Sequence, residues 1–204
     1  RIRSRGLGDV YKRQVFGLYD LIGIDLMVDV LKSFKKELPG TDDFQNVAKE
    51  IPLITKLINE GYTGRKGKGG FYRINKSNND KVLEAINLDT EKYSPSKKID
   101  LKMDTVDIVG LINRDDKYGK YSWSVISKII TYASSLVPGI TDKFNDIDEA
   151  MRLGFNWAMG PFEMLNEIGP KNFFERLGQI KNNKFLENLS KSNDENFYGK
   201  RQLY

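Results

Sequence analysis

The chain of 204 residues contains no cysteine and no histidine. Without cysteine there is no disulfide and no thiolate metal site, which suits a reducing cytoplasm. The lack of histidine excludes more, because the commonest general base and metal ligand is missing. Long apolar runs are missing as well. The longest uncharged run near a helix, Ile129 to Thr141, is too short to cross a bilayer and carries Pro138-Gly139.

A strong charge of one sign is also lacking once its location is taken into account. The formal charge is +5, but the first 14 residues hold five of the 33 basic side chains and one of the 28 acidic ones. The remaining 190 residues therefore carry 28 basic against 27 acidic groups, interleaved as on ordinary solvated helix faces. A basic groove that releases counterions from a phosphate backbone is not expected, and neither is a nucleic-acid partner.

What the chain does contain is a duplicated unit. Phe155-Asn156-Trp157-Ala158-Met159-Gly160-Pro161-Phe162-Glu163-Met164-Leu165-Asn166-Glu167-Ile168-Gly169 is echoed near the start by Val15-Phe16-Gly17-Leu18-Tyr19-Asp20-Leu21-Ile22-Gly23. Aligning the copies pairs Phe16 with Phe162, Asp20 with Asn166, Ile22 with Ile168 and Gly23 with Gly169. In the second copy Gly160-Pro161 sets the turn, with Pro suited to the first turn of a helix. Apolar residues at 162, 164, 165 and 168 follow at helical spacing, and Gly169, like Gly23, stops the helix where a left-handed backbone is needed.

Around these copies the periodicity predicts helices almost throughout. Ile24, Met27, Val28, Leu31 and Phe34 describe one amphipathic face, with Lys32, Lys35 and Lys36 in the last turns and Pro39-Gly40 as a stop. Pro52 opens a helix through Ile54, Leu57 and Ile58 that ends before Gly61. Gly64-Arg65-Lys66-Gly67-Lys68-Gly69-Gly70-Phe71-Tyr72 reads either as a phosphate cradle or as a tight turn that docks Phe71 and Tyr72 on the preceding helices. The turn is the simpler reading, because the Gly-Lys-Ser/Thr ending of a P-loop is missing. A short helix is expected through Val82, Leu83 and Ile86, within an otherwise polar stretch from Asn75 to Lys102. The second half offers Val106–Ile112, then a long helix through Val125 to Leu136. Next comes a helix capped by Asp146 with Glu149 three residues on, and two shorter ones around Phe173 and Phe185. Trp157 is expected to pack in the core.

The order of these strings resembles the C-terminal helical domain of 3-hydroxyacyl-CoA dehydrogenases. The signals are Asp20-x-Ile22-Gly23 after an aromatic loop, then Gly64 to Tyr72, then Asp146 to Gly154 followed by Met159-Gly160-Pro161-Phe162-Glu163. Two copies are similar to the large multifunctional β-oxidation enzymes. The resemblance implies an all-α fold of two tandem helical domains of the 6-phosphogluconate dehydrogenase C-terminal-like type, packed as a pseudo-dimer. The expected organisation is a non-native or unstructured segment at 1–14, a first helical domain at 15–93 shortened at its N-terminus, and a linker at 94–103. A second helical domain at 104–190 and a tail at 191–204 complete it.

The resemblance also implies an oxidoreductase of fatty acid β-oxidation that uses NAD, held by a domain with a Gly-x-Gly-x-x-Gly turn that this chain does not show. The family's catalytic pair is a His oriented by a Glu, so no catalytic, cofactor-binding or metal-binding residue is carried over, and the chain alone is expected to be inactive. Val15 and Phe16 are expected beside the acyl-CoA substrate, while Gly23, Gly160, Pro161, Phe162 and Gly169 are expected to be structural. Implied partners are a nucleotide-binding domain and a hydratase domain of the same polypeptide, in a bacterial cytoplasm. The competing function is a non-catalytic helical protein-interaction module; a nucleic-acid binder acting through the basic head and Arg65-Lys66 is the least favoured.

Overall fold

The computed structural model describes residues 15–76, 81–97, 107–179, 183–192 and 197–198. The chain divides into two compact units, Arg1–Asp100 and Leu101–Tyr204. Among the described residues there are ten helices and one three-stranded sheet. The all-α expectation therefore holds for the framework, with the sheet as an addition.

In the first unit α1 (Val15–Ile22) meets α2 (Ile24–Glu37) at a corner made by Gly23, whose φ of 116° is open to glycine and costly for other residues. α3 (Phe44–Val47) is a single turn, and Phe44 stands edge-on to Phe34 at 5.8 Å. Pro52 opens α4 (Pro52–Asn59), where its missing N–H is not needed. Ile24, Leu53, Ile54, Leu57 and Phe71 form the core of this unit.

After the glycine-rich turn the chain becomes an antiparallel sheet of β1 (Tyr72–Asn75), β2 (Val82–Ile86) and β3 (Tyr93–Pro95), in that order. The helix expected through Val82, Leu83 and Ile86 is thus a strand. Its three apolar residues do sit at near-helical spacing, but both of its edges are occupied, by β1 with Tyr72 opposite Ala85 and by β3 with Ser94 opposite Ala85. The turn that follows is fastened by Asn87, whose Oδ1 accepts the N–H groups of Asp89 at 2.9 Å and Thr90 at 2.8 Å. Ser94 and Pro95, read from sequence as the start of a linker, belong to this sheet.

The second unit begins, among the described residues, with Asp107 capping the N–H of Gly110 at 2.6 Å and α5 (Ile108–Ile112). Val106 lies outside them. α6 (Lys117–Ser135) starts eight residues before Val125, because Asp116 accepts the N–H groups of Tyr118 and Gly119, both at 3.0 Å. α7 (Phe144–Phe155) begins two residues before the expected cap. Lys143 holds the N-cap position, while Asp146 lies within the first turn and accepts the Thr141 hydroxyl at 2.9 Å. The helix runs through Gly154 and stops at Asn156, in the left-handed region at φ 55°.

α8 (Pro161–Ile168), α9 (Pro170–Leu177) and α10 (Lys184–Ser192) complete the unit. Its core gathers Ile112, Ile130, Leu165, Ile168, Phe173, Leu186 and Leu189. Trp157 is half-buried and belongs to neither core cluster. The tryptophan that packs inside is Trp123, whose ring lies 5.5 Å from that of Phe173. No described helix is long and apolar enough to cross a membrane.

Candidate functional site

The chemistry-bearing side chains that the fold buries are carboxylates, and each sits where a turn must be fixed. On α1, Asp20 is 3% exposed and its two oxygens accept the backbone N–H groups of Phe71 at 2.8 Å and Tyr72 at 2.7 Å. Its own carbonyl accepts the N–H of Arg65 at 2.8 Å. One aspartate thus clamps both ends of the glycine-rich turn. The approach leaves no room for side chains, since a Cβ on Gly64 would lie 2.5 Å from the Asp20 carbonyl oxygen and one on Gly70 would overlap the carboxylate.

Most of the turn's own N–H groups are spent inside the protein. Gly64 donates to Gly69, Gly67 to Gly64, Lys68 to Gly61 and Gly70 to Tyr72, at 2.7 to 3.1 Å. A phosphate cradle needs such groups pointing outward, so the backbone here forms a closed fastening. Phe71 is delivered into the core, 4.7 Å from Phe16 and 6.1 Å from Tyr19. Tyr93 adds a second tie, its hydroxyl donating to the Gly70 carbonyl at 2.5 Å while its ring carries the Arg73 guanidinium at 3.9 Å. Burial pushes the Tyr93 hydroxyl up to about 12.

In the second unit a similar clamp is made by Asp148 on α7, fully buried, and not by Asn166, the residue aligned with Asp20. Its oxygens accept the N–H groups of Phe162 and Glu163, both at 2.9 Å, which are otherwise unsatisfied donors at the start of α8. The Tyr198 hydroxyl also donates to it. Glu163 reaches back to the N–H of Gly160 at 2.8 Å and is paired with Arg152 at 3.0 Å. Burial raises the Asp148 carboxyl above the ordinary range despite three hydrogen bonds that favour its charged form, and the same balance raises Asp20.

The residues singled out from sequence fall into two settings. Val15 and Phe16 open α1 with 65% and 39% of their surface exposed, and Phe16 rests on Phe71. Gly160, Pro161 and Phe162 surround Asp148: Gly160 packs so close that a Cβ would overlap it, Pro161 is buried at the helix start, and Phe162 is completely enclosed. Gly23 and Gly169 make the same helix–helix corner in their own units, at φ 116° and 83°. The sequence reading passed over Asp20 and Asp148 as site residues. The clue to the first was its fixed place three residues before the corner glycine; Asp148 was overshadowed by Asp146, the better-looking cap.

Among the described residues no group of three or more acidic side chains could hold a metal ion. The sheet is antiparallel and no strand–glycine-turn–helix unit for a dinucleotide is present among them, so these residues do not fit NAD.

The sequence model of the 3-hydroxyacyl-CoA dehydrogenase C-terminal domain matches residues 7–74 and 124–192, two segments that contain the two corners. The chain belongs to this family. The match starts inside the segment read from sequence as non-native, and β2 and β3 lie beyond it.

Among curated proteins, a Rickettsia felis protein provisionally named a fatty acid oxidation complex trifunctional enzyme is 42% identical over 151 residues, covering 74% of this chain and 21% of the relative. A Rickettsia prowazekii protein of the same name is 39% identical over 172 residues, 84% of this chain and 23% of the relative. A Bacillus subtilis protein provisionally named a 3-hydroxyacyl-CoA dehydrogenase is 29% identical over 175 residues, covering 83% and 22%. The chain thus spans about a fifth of the length of these relatives. No solved structure matches it significantly.

Proposed function

We propose that this chain is the helical, substrate-side region of an NAD-dependent 3-hydroxyacyl-CoA dehydrogenase acting in fatty acid β-oxidation. The observation that carries the reading is the double family match, which falls on both aromatic corners and their buried residues. In the intact enzyme NAD would accept hydride from the 3-hydroxyl carbon, held by a nucleotide-binding domain of the same polypeptide. This chain supplies no histidine to take the hydroxyl proton, so alone it is inactive.

What its residues contribute is a wall and a docking frame. Val15 and Phe16 offer exposed apolar surface to the acyl chain, and Phe71 behind Phe16 keeps that surface in place. A hydratase domain in the same polypeptide and a bacterial cytoplasmic setting fit the longer relatives. Co-expression with the nucleotide-binding domain of such a dehydrogenase is the test, read as acetoacetyl-CoA-dependent NADH oxidation. Restored turnover that is lost without this chain supports the proposal. A folded chain that restores nothing leaves a helical interaction module in its place.

A further inference from the structure

Beside the glycine-rich turn, one face of the sheet lies open. The strand register places Tyr72 opposite Ala85 and Ile74 opposite Leu83, so these four side chains share that face, and Ile74 and Leu83 are more than half exposed. They floor an open groove of about 1340 Å³. Cations stand around it, namely Arg65 and Lys68 from the turn, Lys76 at the end of β1 and Lys97 after β3.

Their partners are few. Lys68 donates to the Glu60 carbonyl at 2.9 Å, a neutral acceptor that leaves its charge in place. Arg65, Lys76 and Lys97 form no ion pair among the described residues. Arg73 also borders the groove, but it is committed to Glu84 at 2.7 Å. Among the described residues the one acidic side chain in the lining is Asp20, which accepts the N–H groups of Phe71 and Tyr72 and offsets part of the charge of Arg65. An exposed apolar floor flanked by Lys68, Lys76 and Lys97, none of them in an ion pair among the described residues, is complementary to a ligand with a flat ring and several phosphates.

We propose that this groove binds the phosphate-bearing nucleotide half of coenzyme A, the ring lying on Tyr72, Ile74 and Leu83 and the phosphates facing Arg65, Lys76 and Lys97. The proposal rests on the reading of the chain as part of an acyl-CoA enzyme. It adds a site on strands that lie beyond the segments shared with the family model. Most of the turn's N–H groups are committed within the protein, so the proposed contacts are made by side chains.

Titration of the full chain with coenzyme A, 3′-phospho-ADP and pantetheine, followed by calorimetry, tests the site. Coenzyme A and 3′-phospho-ADP should bind with similar affinity, and pantetheine, which lacks the nucleotide, much more weakly. The double variant Lys76→Glu/Lys97→Glu, altering two exposed side chains that form no ion pair among the described residues, should weaken coenzyme A by roughly tenfold or more. Raising the salt to 1 M should weaken it too, as the screening length falls to about 3 Å. Equal binding of pantetheine, an affinity untouched by the double reversal, or charge-dependent binding of anionic vesicles or RNA without coenzyme A would each overturn the site. In the reconstituted dehydrogenase the double reversal should raise KM for acetoacetyl-CoA and leave turnover of acetoacetyl-pantetheine unchanged. Turnover of both with no KM change removes the groove and keeps the proposed function, whereas turnover of neither removes the function itself.

Discussion

Asp148 stands 14 residues before Phe162 in sequence and 2.9 Å from its backbone N–H in space, with the N–H of Glu163 on its other oxygen at the same distance. This pair of bonds sets the angle at which α8 leaves the loop. Replacing Asp148 by Ala should leave both donors buried and unpaired, at about 1–3 kcal/mol each. Asp148→Asn keeps one acceptor and should fall between wild type and Ala. Both tryptophans, Trp123 and Trp157, lie in the second unit, so urea unfolding followed by tryptophan fluorescence reads this unit alone.

Phe162 is the aromatic that the same bonds hold in place, with ring neighbours Phe144 at 5.3 Å and Phe185 at 5.2 Å and no exposed surface. Truncation to Ala should cost about 3–5 kcal/mol. Phe16, its counterpart in the repeat, is 39% exposed, and Phe16→Ala should cost distinctly less. Equal losses in the two melting curves would refute the difference in packing.

The glycines should respond for different reasons. At Gly169, with φ 83°, Ala meets only Asn172 at 3.3 Å, so the cost is backbone strain of roughly 1–2 kcal/mol. At Gly160 the backbone is ordinary, and Ala instead drives its methyl into the Cα and carboxylate of Asp148. Gly160→Ala should therefore be the more damaging of the two, and thermal melts of both variants decide it.

Acid should act on the carboxylates in opposite directions. Asp116 is held down to about 2, first by the hydrogen bond from Arg114 and then by the helix N–H of Gly119. A depressed folded value means stability that is present above the ordinary 3.8 and is lost as the pH falls from there toward about 2. Asp148 and Asp20 are raised by burial, so their protonated forms suit the folded state and their contribution, full below the ordinary 3.8, declines as the pH rises from there through the raised folded value. Asp116→Asn keeps an N-cap without the charge and should flatten the loss of stability below pH 4. An acid melt identical to wild type would show that Asp116 does not drive it.

The corners were legible in the sequence because glycine and proline act locally. Gly23, Gly169, Pro52 and Pro161 do in the structure what their backbone chemistry demands at those positions. The sheet was not legible, since Val82, Leu83 and Ile86 fit a short helix as well as a strand until their partners are known. Those partners, Tyr72 to Asn75 and Tyr93 to Pro95, are supplied by residues up to 13 positions away. The buried aspartates escaped for the same reason. Asp146 looked like a cap by its neighbours in sequence, whereas Asp148 caps a different helix and is recognised only when α7 and α8 are seen side by side.

The first residue of β1 carries a consequence of its own. On the side away from β2, the N–H of Tyr72 is held by Asp20 and its carbonyl by the N–H of Gly70. A raw strand margin ordinarily invites a stranger's backbone to pair with it. Here α1 has already answered that invitation, so at this point the sheet cannot seed fibrils by lateral growth.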